Sequence, residues 1–213
     1  LMRCKQMIEL KNISKKIGSK LVLDNVSYTF ETGKIYGLSG INGSGKTMLL
    51  RAIAGLIIPT QGQIIIDGKA LHKDISIPES IGIIIENMEL LGQYNAYDNL
   101  KILSKIKKCA TDNDILKSLE RVGLSTDKKV KKFSLGMKQR LNIAQAIFES
   151  PKILLLDEPT NALDEEGITQ IYKILREEKY NGVTVIITTH NKQDLENLCD
   201  TVLTMSEGKL YEK

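Results

Sequence analysis

Apolar residues at Ile8, Leu10 and Ile13, then Leu21-Val22-Leu23 with Val26, Tyr28 and Phe30, alternate with polar ones over the first part of the chain. A period of two predicts short antiparallel strands, a β layer with one buried face. Lys34 to Ser39 reads as another strand, and Met48 to Ala54, apolar nearly throughout, as a buried helix. Pro59 to Gly62 marks a turn, Gln63 to Gly68 a strand closing on an Asp-Gly turn, and Ile81 to Ile85 a further buried strand. From about Ala96 to Ser150 the period lengthens to that of helices: Tyr97 to Lys107, Asp112 to Val122 with Gly123 as its stop, and Leu135 to Glu149. Strands then return at Ile153 to Leu156 and Val183 to Thr188, separated by a helix from Glu165 to Tyr180 and followed by a helix from Lys192 to Cys199. A last strand, Val202 to Met205, is expected to close the sheet. The pattern predicts an α/β fold with a mixed sheet, an N-terminal antiparallel β layer and an inserted helical subdomain. The division is about 7–85 and 151–213 for the core with its β layer and about 86–150 for the helical part, within one domain over 1–213.

Between the strand ending at Ser39 and the helix opening near Met48 lies Gly40-Ile41-Asn42-Gly43-Ser44-Gly45-Lys46-Thr47. A Gly, four residues, then Gly-Lys-Thr at a strand-to-helix turn is the phosphate-loop pattern. Its glycines let backbone amides converge on phosphates at the positive end of the helix dipole. Lys46 would reach the outer phosphates and the Thr47 hydroxyl would ligate Mg²⁺. Far downstream, Ile153-Leu154-Leu155-Leu156-Asp157-Glu158 is an apolar run too continuous for a half-exposed strand, ending in two carboxylates. Asp157 is expected to help hold Mg²⁺, leaving Glu158 to act on water. The reading is therefore a phosphate-loop nucleotidase core.

With 213 residues, 42% of them hydrophobic, the chain can bury a sizeable core as one large α/β domain. No apolar run reaches the roughly 18 residues of a membrane span, and no secretory signal is visible, so a cytoplasmic location is expected. Cys4, Cys109 and Cys199 are scattered without metal spacing, which suits a reducing compartment. The net charge of +4 is too mild to point to nucleic acid, and none is expected as a partner. The densest basic stretch, Lys128 to Lys132, reads as a solvated loop. Leu1 to Gln6 precede Met7, read as the natural start, and are set aside. The chain ends soon after its last expected strand, so no regulatory domain is expected to follow.

Phe133-Ser134-Leu135-Gly136-Met137-Lys138-Gln139-Arg140, just upstream of Asp157-Glu158, looks like the signature of ABC transporters. The ordered set of phosphate loop, a loop at Glu86, this signature, Asp157-Glu158-Pro159-Thr160, Asn161-Ala162-Leu163-Asp164 and His190 resembles the ATPase subunit of that family over nearly the whole chain. The resemblance implies two such chains, identical or homologous, closing head to tail around two ATP molecules. It further implies a separate membrane-spanning permease that holds the ATPase at the inner face of the membrane. Ser134 and Gly136 would then contact the γ-phosphate across the interface and Asp164 would tie the two sites together. Glu158 would act as general base or water-orienter, His190 would bridge γ-phosphate and water, and Lys46 with Mg²⁺ would stabilise the developing charge. A soluble ABC-type switch acting on ribosomes or nucleic acid is the alternative, though such proteins usually carry paired nucleotide domains or long coiled coils. His72 has no supporting motif and is expected on the surface.

The sequence departs from the commonest family pattern in several places. Ile17 stands where an aromatic residue before Gly18 usually stacks on adenine, a loss of about 1–3 kcal/mol by analogy with nucleic-acid stacking. Tyr28 and Tyr36 are the aromatic candidates to compensate. Met48 replaces a usual hydroxyl residue, and Leu135 with Met137 replaces the commoner Gly-Gly-Gln. Glu86 stands where most members carry Gln, in a loop that usually touches both Mg²⁺ and the membrane subunit. With the Ser-Leu-Gly-Met signature it resembles the bacterial subfamily that exports, or confers immunity to, peptide antibiotics, including lantibiotic and bacitracin systems; the alternative is a tolerated replacement. Glu86 would place a third carboxylate beside Asp157 and Glu158 and join Thr47 and Asp157 around Mg²⁺. Met88, Leu90, Leu91, Tyr94 and Tyr97 offer either an apolar contact for the membrane partner or packing of the helical lobe.

Overall fold

The computed structural model describes residues 7–86, 89–124 and 127–212. A four-stranded antiparallel sheet runs in the order β2 (Lys20–Glu31), β1 (Met7–Ile17), β4 (Gln61–Ile66), β5 (Lys69–Ala70). The main sheet has six strands in the order β10 (Lys209–Glu212), β9 (Thr201–Ser206), β3 (Ile35–Ser39), β8 (Thr184–Thr188), β7 (Ile153–Asp157), β6 (Ile81–Ile84). It is parallel from β9 to β6, and only β10 at the edge is antiparallel. Leu38 pairs with Thr188 and Thr188 with Asp157, so three neighbouring strands end side by side. The carboxyl ends of parallel strands are where an open α/β sheet offers its ligand crevice.

Parallel strands buried on both faces need apolar residues at every position. One face of the sheet, through Ile35, Leu154, Leu156, Val185 and Ile187, shares a cluster with α2 (Ala96–Lys107), α3 (Asp112–Arg121), α4 (Leu135–Ile147) and α5 (Glu165–Tyr180). The other face, through Tyr36, Leu38, Leu155 and Ile186, packs on α1 (Lys46–Ile53) and on Ile8, Leu10 and Phe30 of the antiparallel layer. The apolar side of the helical segment thus closes one face of the sheet. Truncating a fully buried member such as Leu155 to Ala would cost about 2–5 kcal/mol.

Four expectations need correction. The N-terminal strands are long rather than short, because the breaks in alternation after Leu10 and before Val26 are register shifts within continuous strands. Asn12 (φ 51°) and Asn25 (φ 52°) sit at those shifts, with Asn12 Nδ2 donating to Asn25 Oδ1 at 3.0 Å. Val202 to Met205 is not the last strand; β10 follows after a turn at Glu207-Gly208 and forms the edge. The basic stretch is anchored, since buried Val130 opens a short 3₁₀ turn whose backbone bonds Tyr94 and Gly92 while its lysines stay exposed. His72 is half-buried, with Nε2 3.3 Å from the Ile57 carbonyl. Cys4, the rest of Leu1 to Gln6, and Met88 lie outside the described residues.

Candidate nucleotide site

Gly40 and Gly45 give the loop between β3 and α1 its path. Their φ values are 142° and 112°, and a Cβ would stand 2.3 Å from the Met205 carbonyl oxygen on Gly40 and 2.8 Å from that of Val22 on Gly45. No larger residue fits either place without moving backbone. Gly45 caps α1 without a side chain, leaving the positive end of the helix dipole facing the loop. From outside, the Gly208 N–H at the β9–β10 turn donates to the Ser44 carbonyl at 2.9 Å. Ser44 Oγ is buried with no hydrogen-bond partner among the described residues. A buried hydroxyl normally has one, and a phosphate oxygen is an acceptor it could meet here. Lys46 is 7% exposed, and its Nζ donates to the Gly40 and Ile41 carbonyls at 2.7 and 3.1 Å. Burial pushes its pKa down, opposed by Glu158 and Asp157.

Across the loop stand the ends of β7 and β8. Thr47 Oγ1 donates to Asp157 Oδ2 at 2.9 Å, and the Thr188 hydroxyl donates to Asp157 Oδ1. Glu158 adopts a left-handed backbone (φ 51°), and its N–H reaches the Thr188 carbonyl at 3.1 Å and hydroxyl at 3.2 Å. His190 Nε2 lies 3.3 Å from Glu158 Oε1. Burial raises the pKa of Glu158; His190 opposes this and Asp157 adds to it. Lys46, Thr47, Asp157, Glu158 and His190 line one cleft of about 350 Å³ with Asn42, Gly43, Lys20 and Val22. A hydroxyl and one carboxylate fit Mg²⁺, which keeps water and takes the rest of its shell from phosphates.

Glu86 is not gathered there. Its carboxylate lies 2.6 Å from Arg51 Nη2 at the far end of α1, and among the described residues no three His, Cys, Asp or Glu converge as a metal site. Opposite charge at the last turn of α1 holds Glu86 away from the like-charged pair at Asp157 and Glu158. Tyr28 and Tyr36 are likewise committed elsewhere, packing edge-on with each other and with Phe30, while Ile17 is 51% exposed beside the β1–β2 turn. Leu90 and Tyr97 pack against the core, and Leu91 and Tyr94 remain exposed.

None of Ser134 to Met137 lines the phosphate-loop cleft of its own chain. Ser134 caps α4 by accepting from the Met137 N–H at 3.2 Å, Leu135 is 72% exposed, and a Cβ on Gly136 would meet the Ala162 carbonyl oxygen at 2.9 Å. Asp164 caps α5 through the Gly167 N–H at 2.9 Å, with its side chain 76% exposed. Two residues gain their place at the site only from the fold. Thr188 is found only through its register beside Asp157. Gln139 lies within the signature, where its Nε2 donates to the Glu158 and Pro159 carbonyls at 3.2 and 2.9 Å and so ties α4 to the loop that carries Glu158.

Converging amides, a buried lysine and a hydroxyl–carboxylate pair answer the charged tail of a nucleoside triphosphate, and the fold is that of a phosphate-loop nucleotide-binding protein. The sequence model of the ABC transporter family matches residues 23–161, and the chain belongs to that family. It is 66% identical over 206 residues to an uncharacterized ABC transporter ATP-binding protein, YybJ, of Bacillus subtilis, covering 96% of this chain and 94% of that one. The lantibiotic transport ATP-binding protein SrtF of Streptococcus pyogenes is 40% identical, with 96% and 89% covered. The bacitracin transport ATP-binding protein BcrA of Bacillus licheniformis is 41% identical, with 97% and 69% covered. A dimeric bacterial ABC transporter cassette superposes with a TM-score of 0.85 at 25% identity, covering 96% of this chain and 98% of that one. Among the described residues no helix is long and apolar enough to cross a membrane.

Proposed function

We propose that this chain is the ATP-hydrolysing subunit of a bacterial exporter, pairing head to tail with an identical or homologous ATPase subunit. A separate membrane-spanning permease would hold the pair at the inner face of the membrane. The observation that carries the reading is the Glu158–His190 pair, 3.3 Å apart in the same cleft as the Thr47–Asp157 pair. Glu158 orients water and takes its proton as the water oxygen bonds the γ-phosphorus and the bond to the β,γ-bridging oxygen breaks, giving ADP and phosphate. A carboxylate with its pKa raised by burial is the stronger base for that step. His190 holds Glu158 in place and faces the γ-phosphate, while Lys46 meets the charge developing on the phosphate oxygens. Mg²⁺, held by Thr47 and Asp157, would supply further positive charge there.

The exposed start of α4 supports a site completed by a second chain. Ser134 and Gly136 of one chain would meet the γ-phosphate bound to the other, and Asp164 would link the two sites. The dimer seen for a cassette of the same fold supports that arrangement. Peptide antibiotics are the cargo class that the lantibiotic and bacitracin relatives favour. The test is to tag the chain, recover it from detergent-solubilised membranes and identify its companions. A polytopic membrane protein is expected; recovery only from the soluble fraction, with ribosomes or nucleic acid, would overturn the exporter reading.

A further inference from the structure

Asp194, on the short helix α6 (Lys192–Leu198), is fully buried. Its Oδ2 accepts from the Thr160 and Thr189 hydroxyls, both at 2.6 Å, and its Oδ1 from the Tyr172 hydroxyl at 2.5 Å. A carboxylate only accepts, so all three hydroxyls are fixed as donors. The three belong to different parts of the site: Thr160 follows Glu158 by two residues, Thr189 precedes His190, and Tyr172 lies on the helix that Asp164 caps. Thr189 Oγ1 also accepts from the Asn191 N–H at 3.0 Å, so His190 sits between two anchored neighbours. Among the described residues the two loops are otherwise joined by the β7–β8 pairing, by Thr188, whose carbonyl and hydroxyl accept from the Glu158 N–H and whose hydroxyl donates to Asp157, and by the exposed pairing of Glu158 with His190 itself.

We infer that Asp194 is a positioning residue that holds the Glu158 loop and the His190 loop in register, and thereby sets the Glu158–His190 pairing. The inference rests on the hydrolytic reading of that pair, but its geometry can be tested without activity. Asp194 touches no reacting atom; it acts by fixing two loops through one pair of threonine hydroxyls on a single oxygen. A displacement of about 1 Å at a reacting group can cost on the order of 100-fold in rate, which is the scale such an anchor controls.

Three variants separate anchoring from bulk. Thr189→Val keeps shape and removes one anchor, Asp194→Leu keeps volume and removes all three, and Asp194→Asn can turn its amide to keep the oxygen that both threonines meet. Thr189→Val and Asp194→Leu are expected to lower kcat for ATP at least about tenfold with KM changed by less than about threefold, and Asp194→Asn to restore part of it. In a His190→Ala background Thr189→Val should add less than about a twofold further loss, since both act through one pairing. The chain has two histidines, so the His190 ring resonance can be assigned with a His72→Gln variant. In Thr189→Val and Asp194→Leu it should move toward its position in Glu158→Gln. Unchanged kcat together with an unmoved His190 resonance in Thr189→Val would overturn the inference. A wild-type chain that binds but never hydrolyses ATP would overturn the hydrolytic reading, and the resonance would still decide whether Asp194 sets the pairing.

Discussion

Around the phosphate loop, side chains from neighbouring strand ends hold one another: Thr47 and Thr188 both donate to Asp157, and His190 pairs with Glu158. Around the start of α4, Ser134 caps α4, and Asp164 caps α5 and lies 3.6 Å from Arg140 of α4, while Ser134, Leu135 and the Asp164 side chain keep their outer faces in solvent. The first region gathers its groups around one cleft, and the second keeps an exposed outer face. On the function proposed above, one folded chain carries the groups for phosphate and water, while its signature residues would meet a nucleotide held by a second chain.

Replacing Glu158 should give the largest effect. Glu158→Gln should lower kcat about 100- to 10,000-fold while ATP still binds within a few-fold of wild type, and gel filtration with ATP should show a trapped dimer. Turnover at the original rate would remove Glu158 from the mechanism. Ser134→Ala should split the two regions cleanly, leaving ATP affinity of the isolated chain unchanged and turnover at least about tenfold lower. The lost cap should cost about 1 kcal/mol, or roughly 2–4 °C in Tm for a chain of this size. Weaker ATP binding by the isolated Ser134→Ala chain would break the comparison. Next in size, Ile17→Tyr should tighten ATP binding by about tenfold if an aromatic face there meets adenine. Measured against pH, kcat should fall on the acid side at a pH above the ordinary carboxylate range, because burial raises Glu158 and its protonated form accepts no proton from water. Glu86→Gln should be smallest: loss of its half-exposed pair with Arg51 costs under about 1 kcal/mol of stability, with nucleotide binding intact and turnover or transport coupling altered.

Much of this was legible because the informative residues are constrained locally. The phosphate loop needs its glycines by backbone geometry, and Asp157 with Glu158 ends a run that only a strand buried on both faces tolerates. The helix from Glu165 to Tyr180 follows its apolar stripe with the bounds the period implies. What was not legible depends on pairing across the chain. β10 alternates weakly at an exposed edge, the N-terminal strands hide three register shifts, and Glu86 is drawn to an arginine 35 residues away. Thr188 and Asp194 are ordinary polar residues in a strand and a helix until the neighbouring element is in place, and Gln139, although inside the signature, finds its partners only then.

The turn at Gly208, which braces the phosphate loop through Ser44, also accepts from the Asp24 N–H at 2.9 Å. Three segments far apart in the chain therefore meet at one spot, and the loop made early in synthesis gains its outer support only after residues 205–208 have left the ribosome. Contacts of such long sequence separation form late in folding. A nascent chain would carry the phosphate loop without this brace until residues 205–208 are free to fold onto it.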